Sequence, residues 1–351
     1  MTGPRMAEPQ HTWPSVIGSL IEGTDLAAAE TEWAMDQVMS GTATPAQIAG
    51  FAVALRAKGE TAAEIAGMAK AMLAYAHRVD VGCRAVDIVG TGGDRSGSVN
   101  ISTMSALVVA AAGVPVVKHG NRAASSKTGT ADVLETLGVR IEASAEEVAE
   151  SVRTIGIGFC FASAFHPALR YAGATRRELG VPTAFNLLGP LTNPAQPQAG
   201  LVGCAYPDKT EMFAEVFARR GSSVLVVRGD DGLDEITTTT TTSAWVVSGG
   251  SVRRETIEPG RFGFAPATPE DLRGGEANVN AQVVRELVAG KAGPVREAVL
   301  LNAAAALAAY SGFSGDLTAD LTEGIAKAAD AIDSGATATL LARWIEAGAR
   351  R

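Results

Sequence analysis

The sequence predicts an α/β protein that begins with a small all-helical domain. From Trp13 to about His77, apolar residues recur at helical spacing and no convincing strand is visible. From Val86 onward, short β-branched runs alternate with helical segments, which is typical of a mainly parallel sheet flanked by helices. Two β-rich runs at 235–257, joined by a Ser-Gly-Gly turn, predict an antiparallel addition to that sheet.

Threonines mark the expected starts of the N-terminal helices. Thr24, Thr44 and Thr61 each precede a helix-forming stretch, and Thr61 with Glu64 fits a capping box. We therefore expect a helical domain over residues 1–84, whose first ten or so residues form a frayed tail. The α/β domain is expected to occupy residues 85–351.

The second domain is expected to alternate strands with helices. The predicted strands are 86–89, 114–117, 157–162, 201–206 and 224–227. The predicted helices are 102–112, 131–137, 144–155, one ending near 179, 209–219, and several from about 280 onward. Ser144 and Glu147 form a second capping box. The threonine run 237–242 is interpreted as a strand, because threonine favours a pleated surface.

Composition restricts the class of protein. With 351 residues, of which 46% are hydrophobic and 19% charged, the chain is globular and can bury a core. A net charge of −8 argues against a general nucleic-acid binder, which needs a positive face. The three cysteines are widely spaced, with no C-x-x-C metal pair. No apolar run has the length of a membrane span or the form of a signal peptide, so we expect a cytoplasmic protein.

Two loops have the composition of phosphate sites, each at the end of a predicted strand. The first loop, 90–103, starts with Gly90-Thr-Gly-Gly-Asp94 and continues into Asn100-Ile-Ser-Thr103. Glycines let the backbone approach an anion, and the N-terminus of the following helix adds N–H groups and a positive dipole end. It is neither a G-x-G-x-x-G nor a Walker A motif.

The second loop, 118–130, follows the next strand. Lys118 and Arg122 supply positive charge, Gly120 permits close approach, and Asn121 is both donor and acceptor. Hydroxyl groups that can donate to phosphate oxygens follow at Ser125, Ser126 and Thr130. Two such loops at one edge of a sheet predict a ligand with two phosphate groups.

An acidic loop, 229–235, ends with Asp234 and Glu235 after another strand. Adjacent carboxylates beside an anion site suit Mg²⁺, which takes one or two carboxylates together with substrate phosphate oxygens. No His or Cys accompanies them, which argues against zinc. His166 and Arg176 are further polar candidates, whereas no Ser-His-Asp set or pair of acid/base carboxylates is visible.

Taken in order, GTGGD, NIST, KHGNRAASS, FHP, RRELG, FNLLGPLTNP and DGLDE closely resemble the anthranilate phosphoribosyltransferase family of tryptophan biosynthesis. The resemblance implies a nucleoside-phosphorylase-like architecture and a homodimer. It also implies that anthranilate attacks phosphoribosyl pyrophosphate, releasing pyrophosphate. Arg95 stands where the family usually has glycine, Ser98 where threonine is common, and Thr130 where serine is common.

The resemblance also implies roles for individual residues. Mg²⁺, one or two per subunit, would be held by Ser102, Asp234 and Glu235. Anthranilate would contact Gly90, Asn121, His166 and Arg176. The phosphoribosyl donor would be bound by Gly90, Gly93, Asp94, Ser98, Asn100, Ile101, Ser102, Thr103, Lys118, His119, Gly120, Asn121, Arg122, Ala123, Ala124, Ser125, Ser126 and Thr130.

Three alternatives stay open at this point. A pyrimidine nucleoside phosphorylase would share the architecture but would not need the Asp234–Glu235 pair. A non-catalytic relative could bind nucleic acid, which the net charge disfavours. A related transferase could act on another aromatic amine acid, because Arg176 does not exclude substituted anthranilates.

Overall fold

The computed structural model describes residues 11–123 and 127–349. The expected N-terminal tail and the donor-site candidates Ala124, Ser125 and Ser126 lie outside the described residues. The chain forms two compact units. One is helical and contains the chain up to Ala76 together with His166–Thr192, and the other contains His77–Phe165 and the chain from Asn193 onward. The boundary at residue 84 stays a prediction, and the return of 166–192 to the helical unit was not expected from the sequence.

The described part of the helical unit has four N-terminal helices and, later in the chain, one further helix and three 3₁₀ turns. The four are α1 (Trp13–Ile21), α2 (Ala28–Met39), α3 (Pro45–Lys58) and α4 (Ala62–Ala74). The later part adds α9 (Arg170–Leu179) and 3₁₀ turns at Pro167–Leu169, Ala184–Leu187 and Gly189–Leu191. Helix α2 packs against α4, α1 against α3, and α9 against both α2 and α3. Phe51, Met35 and Met68 fill this core without solvent exposure.

Two of the three predicted threonine caps are confirmed. Thr44 and Thr61 each accept a backbone N–H of the first turn, and Thr61 with Glu64 forms the expected capping box. The prediction for Thr24 is wrong, because α2 starts at Ala28 with Ala27 as its N-cap. The Leu26 N–H, just before α2, donates to the buried Glu64 carboxylate at 2.9 Å.

The α/β unit is built on one seven-stranded sheet in the order β3-β2-β1-β4-β5-β6-β7. Its strands are β1 (Val86–Gly90), β2 (Val116–Gly120), β3 (Ile157–Phe161), β4 (Ala199–Gly203), β5 (Ser223–Gly229), β6 (Thr242–Ser248) and β7 (Ser251–Ile257). Strands β1 to β5 are parallel, and β6 and β7 are antiparallel. The predicted fold class, including the antiparallel addition, is confirmed.

Further helices complete the α/β unit, some packed on the strands and others on neighbouring helices. They are α5 (Ile101–Ala111), α6 (Thr130–Leu137), α7 (Ala145–Ile155), α8 (Ala162–Phe165), α10 (Thr210–Arg219), α11 (Ala277–Val288), α12 (Pro294–Ser311), α13 (Leu317–Asp333) and α14 (Ala336–Ala349). Helix α12 is buried along nearly its whole length and packs on α5, β4 and α13. The Ser144–Glu147 capping box starts α7 as predicted. None of the described helices combines the length and apolar composition needed to cross a membrane.

The prediction of a strand over the threonine run is wrong for Thr237–Thr241, because β6 begins only at Thr242. The hydroxyls of Thr237 and Thr239 donate to Asp231, and that of Thr241 donates to Asp230. Side-chain hydroxyls that bond to nearby groups compete with the regular ladder of a sheet. The threonines therefore shape the acidic loop instead of extending the sheet.

Candidate functional site

The two glycine-rich loops and the acidic loop meet at one edge of the sheet. Strands β1, β2, β4 and β5 are parallel, so their carboxyl ends lie at the same edge, and each ends at a glycine. The strand order reverses between β1 and β4, which is where open α/β sheets bind ligands. The sequence-based grouping of these loops therefore corresponds to a spatial cluster.

Two of these glycines allow the acidic loop to pack closely against the ends of the strands. A Cβ at Gly203 would lie 1.6 Å from the Asp234 carbonyl oxygen, and a Cβ at Gly90 would lie 2.3 Å from Asp234 Oδ2. Only residues without a side chain fit there, since real Cβ atoms essentially never come closer than 3.0 Å. The Gly92 N–H donates to Asp234 Oδ2 at 2.6 Å. Asp234 is thus fixed against the first loop.

Glu235 is held from two directions. Its Oε1 accepts the Ser102 N–H at 3.2 Å, at the start of α5. The next residue, Ile236, has both backbone groups bound by the buried Asn302 of α12, through Oδ1 at 2.9 Å and Nδ2 at 2.8 Å. The three residues expected to hold a metal, Ser102, Asp234 and Glu235, are therefore brought together, with Ser102 in the first turn of α5 and the acidic pair on a loop anchored by Asn302.

Lys118 lies beneath this cluster and is only 2% exposed. Its Nζ donates to the Ile88 carbonyl at 2.5 Å and to Ser102 Oγ at 3.2 Å. Desolvation lowers the pKa of Lys118, and attraction from Asp87 and the acidic pair opposes that shift. From its buried position, Lys118 thus donates a hydrogen bond to Ser102 and attracts the acidic pair electrostatically.

Asp87 holds the neighbouring strand end. Its Oδ1 accepts the His119 N–H at 3.1 Å, and its Oδ2 accepts Asn193 Nδ2 at 2.8 Å. Asn193 also donates to the Val117 carbonyl at 2.8 Å. Burial raises the pKa of Asp87 to about 6, against the attraction of Lys118. Asp87 and Asn193 were not expected in the site from the sequence, although a carboxylate inside the apolar run VDIV is itself an indication of a buried polar network.

Burial and mutual repulsion disfavour the charged forms of the two carboxylates in the acidic pair. Burial raises the pKa of Asp234 to about 7, and repulsion from Asp94 adds to this shift. Burial also raises the pKa of Glu235 to about 8, with repulsion from Asp234 as the next cause. Since a bound cation would reverse these shifts, the cluster has the electrostatics of a cation site.

The donor set fits Mg²⁺. Among the described residues, no group of three or more His, Cys, Asp or Glu could hold a metal ion by itself. Mg²⁺ does not need such a cage, because it keeps waters and binds through one or two carboxylates plus phosphate oxygens. Asp234, Glu235 and the Ser102 hydroxyl provide that kind of incomplete, oxygen-only set.

The rest of the first loop has the backbone that glycine favours. Gly92, Gly93 and Gly97 have positive φ, and so does Arg95, at 58°. Since most L-residues avoid this region, the backbone of Arg95 is strained, and glycine would adopt this conformation at no steric cost. Ser98 pairs with Arg273 in an isolated antiparallel bridge.

Some of the predicted residues in the second loop are exposed to solvent, and several bond to neighbouring side chains. Asn121 is exposed, and its Oδ1 accepts the Ser163 hydroxyl at 3.2 Å. Arg122 pairs with Asp132 at 3.0 Å and with Glu135 at 2.8 Å, and these partners raise its pKa. Thr130 Oγ1 lies 3.3 Å from Thr103 Oγ1. Two loops that are distant in sequence are thus in direct contact here.

Two further candidates belong to the helical unit. Arg176 on α9 is partly buried, with its guanidinium over the Phe185 ring at 5.5 Å, and burial lowers its pKa. His166 is buried, just before the turn that leads into α9. Stacking on an aromatic ring leaves the N–H edge of a guanidinium available for a carboxylate.

Comparison with known proteins gives concordant results. Residues 14–76 match the helical bundle domain of a glycosyl transferase family, and residues 82–338 match its a/b domain. The chain is 64% identical over 333 residues to the anthranilate phosphoribosyltransferase of Saccharopolyspora erythraea, covering 95% of each chain. It is 60% identical to that of Rhodococcus jostii over 339 residues, covering 96% of this chain and 94% of the relative.

Solved structures agree with these relatives. Anthranilate phosphoribosyltransferase from Thermus thermophilus superposes with a TM-score of 0.89 at 42% identity, over 95% of this chain and 99% of that one. The Saccharomyces cerevisiae enzyme in complex with PRPP and Mg superposes with a TM-score of 0.88 at 26% identity, over 97% and 98%. The same yeast enzyme has also been solved in complex with 4-fluoroanthranilate.

Proposed function

Because the chain belongs to the anthranilate phosphoribosyltransferase family, its reaction is the transfer of the 5-phosphoribosyl group from phosphoribosyl pyrophosphate to the amine of anthranilate, and we propose how its residues accomplish it. The products are N-(5-phosphoribosyl)anthranilate and pyrophosphate, in tryptophan biosynthesis. The observation that carries the residue assignments is the meeting of two glycine-rich loops and a carboxylate pair at one sheet edge.

The first loop is assigned to the phosphate groups of the donor. The side chain of Asn100 does not cap α5, because it bonds to Thr128 and Asn280 instead. The positive dipole end of α5 is therefore shared between Glu235, which accepts the Ser102 N–H, and the anionic donor. The second loop supplies Asn121 and Arg122, and the carboxylates that now pair with Arg122 are partners that a phosphate can replace.

Mg²⁺, one or two ions per subunit, is assigned to Asp234, Glu235 and the Ser102 hydroxyl. When bound, the ion supplies positive charge at the pyrophosphate oxygens. Lys118 holds Ser102 Oγ and attracts both carboxylates, so the ligands are already assembled before any ion arrives. Pre-assembly of this kind lowers the cost of reorganisation in the reaction.

Arg176 is assigned to the carboxylate of anthranilate, with Gly90, Asn121 and His166 as further contacts. The guanidinium already stacks on Phe185, which restricts its orientation. A general base is not required for the attack, because an arylamine is neutral at pH 7 and its lone pair is free. The residues therefore act by orienting two substrates and by stabilising the departing anion.

Assembly into a homodimer and a cytoplasmic location are part of the same proposal. The relatives compared above are named for the anthranilate reaction. Their names favour a transferase of this kind over a pyrimidine nucleoside phosphorylase or a nucleic-acid-binding relative. The Asp234–Glu235 pair supports the same choice, because a phosphorylase that uses free phosphate would not need it.

The test mixes purified protein with anthranilate, phosphoribosyl pyrophosphate and Mg²⁺ and follows the loss of anthranilate fluorescence. Each component is then omitted in turn. We expect product only in the complete mixture. Product formed without Mg²⁺ would contradict the metal assignment, and cleavage of a pyrimidine nucleoside by free phosphate would favour the phosphorylase alternative.

A further inference from the structure

A closed ring of hydrogen bonds joins the two phosphate loops to the start of helix α11. Its members are Asn100 of the first loop, Thr128 of the second, and Gly275 and Asn280. Asn280 Nδ2 donates to Asn100 Oδ1 at 2.8 Å, and Asn100 Nδ2 donates to the Thr128 carbonyl at 3.3 Å. The Thr128 hydroxyl donates to the Gly275 carbonyl at 2.8 Å, and the Gly275 N–H donates to Asn280 Oδ1 at 2.7 Å.

The orientation of every amide in this ring is fixed by one backbone group. The Gly275 N–H can only donate, so it requires the oxygen of Asn280 on its side. Asn280 then presents its NH₂ to Asn100, which must offer its oxygen. The NH₂ of Asn100 is left facing the Thr128 carbonyl. A change at Asn280 is therefore transmitted through Asn100 to the second loop.

The segment 272–280, which contributes Gly275 and Asn280 to the ring, also binds the first loop through backbone hydrogen bonds. The Val99 N–H donates to the Leu272 carbonyl at 2.9 Å, and the Gly274 N–H donates to the Gly97 carbonyl at 2.7 Å. A Cβ at Gly274 would lie 2.6 Å from the Ser98 carbonyl oxygen and 2.9 Å from Asn280 Oδ1. Glycine is thus required for so close an approach.

Two of the four members of the ring are buried, and the other two are partly buried. Asn280 is 2% exposed and Thr128 is 6% exposed, so water cannot easily substitute for a partner lost at these two residues. A buried polar group that loses its partner retains the full desolvation cost. The ring consequently has one favourable arrangement, which sets the spacing between the two loops.

From this geometry we propose that Asn280 is a positioning residue that couples the two phosphate loops, so that they engage the phosphoribosyl donor as one unit. The inference rests on the proposed function, since it assigns those loops to the donor. Asn280 does not itself touch the substrates, and it acts through Asn100 and Thr128. Loss of the ring should weaken donor binding much more than anthranilate binding.

Two substitutions break the ring with little change in volume. In Asn280→Asp, a carboxylate oxygen replaces the NH₂ that faces Asn100. If Asn100 then turns its NH₂ toward the carboxylate, its oxygen faces the Thr128 carbonyl, so one bond of the ring is lost in either case. Thr128→Val removes only the hydroxyl that bonds to Gly275. Gln282→Ala is the matched control, because Gln282 is exposed on the same helix and bonds only to Glu286.

Donor binding is measured by calorimetric titration with phosphoribosyl pyrophosphate and Mg²⁺, and KM is measured for both substrates. Both ring variants should weaken donor binding and raise donor KM about tenfold, with anthranilate KM changed less than about twofold. The double variant should be no weaker than Asn280→Asp alone, because one break already opens the ring. Gln282→Ala should match the wild type.

Thermal unfolding separates positioning from a purely structural role. Donor affinity within about twofold of wild type in both variants would overturn the proposal. Equal rises in both KM values, in step with a lower unfolding temperature, would do the same. If Asn280→Asp does not fold, Thr128→Val decides by the same criteria. Wild-type protein that binds donor without forming product would contradict the function alone, whereas wild type that binds no donor would overturn both.

Discussion

Gly90→Ala tests the packing of Asp234 on the end of β1. The added Cβ would lie 2.3 Å from Asp234 Oδ2 and 2.9 Å from Cγ, whereas ordinary contact begins near 3.4 Å. The carboxylate must therefore retreat by about 1 Å, a difference taken directly from these distances. The Gly92 N–H bond, at 2.6 Å in this structure, would then exceed hydrogen-bonding length.

The expected magnitude follows from the bond that is lost. A hydrogen bond to a charged group contributes about 1.5–3 kcal/mol. If that stabilisation holds Asp234 in its metal-binding position, the half-saturating Mg²⁺ concentration should rise roughly 10- to 150-fold. The unfolding temperature should fall as well, because the added Cβ displaces the buried Asp234 carboxylate.

The assay titrates Mg²⁺ at saturating anthranilate and donor and follows anthranilate fluorescence. Gly260→Ala is the control, since a Cβ there meets nothing within 4 Å and the residue is exposed. A variant with an unchanged Mg²⁺ titration but a raised anthranilate KM would refute the reasoning. Gly90 would then matter because it lies beside the substrate, and not because it lets Asp234 pack against the end of β1.

Three further predictions concern charged groups. Arg176→Ala should raise the anthranilate KM by at least about 30-fold, from a lost charged contact of ~2–5 kcal/mol, with the donor KM unchanged; equal rises in steady-state assays would contradict the assignment. The pKa values of about 7 for Asp234 and about 8 for Glu235 mean that protons compete with Mg²⁺. Both pKa values lie above those of the unfolded chain, so the metal-free protein loses stability as pH rises from about 4 to 8. Mg²⁺ should therefore bind more tightly, and raise the unfolding temperature more, at pH 8 than at pH 6. A flat pH profile of Mg²⁺ binding in calorimetry would argue against the pair as ligands. Asp87→Asn should lower the free energy of unfolding by ~3–5 kcal/mol in urea titrations, because it leaves Lys118 buried without its largest attraction; a loss below about 1 kcal/mol would show that the pair is not needed.

Local sequence patterns were sufficient to bring the three loops together at one edge of the sheet. Parallel strands put their carboxyl ends at one edge, so loops that follow successive strands meet there whatever their separation in sequence. The first loop, the second loop and the acidic loop could all be found in this way. The capping boxes at Thr61 and Ser144 were equally predictable, since each depends on a partner only three residues away.

Contacts between distant segments could not be read from the same patterns. Asn193 reaches Asp87 across 106 positions, and Asn280 reaches Asn100 across 180. Lys118 was expected at the phosphates, yet its ammonium bonds to Ile88 and Ser102 inside the protein. Sequence shows which residue types are present, but the direction of a side chain depends on partners that only the fold supplies.

The helical unit has a consequence for synthesis, because its core is assembled from two stretches separated by nearly ninety residues of the other unit. Helices α2 and α3 emerge from the ribosome long before α9, which covers part of their apolar surface. The nascent N-terminal bundle therefore stays incompletely folded until residue 192 is released. During that time its uncovered apolar surface is exposed to chaperones and proteases. A fragment ending at residue 84 should aggregate, whereas one that adds 166–192 through a short linker should fold.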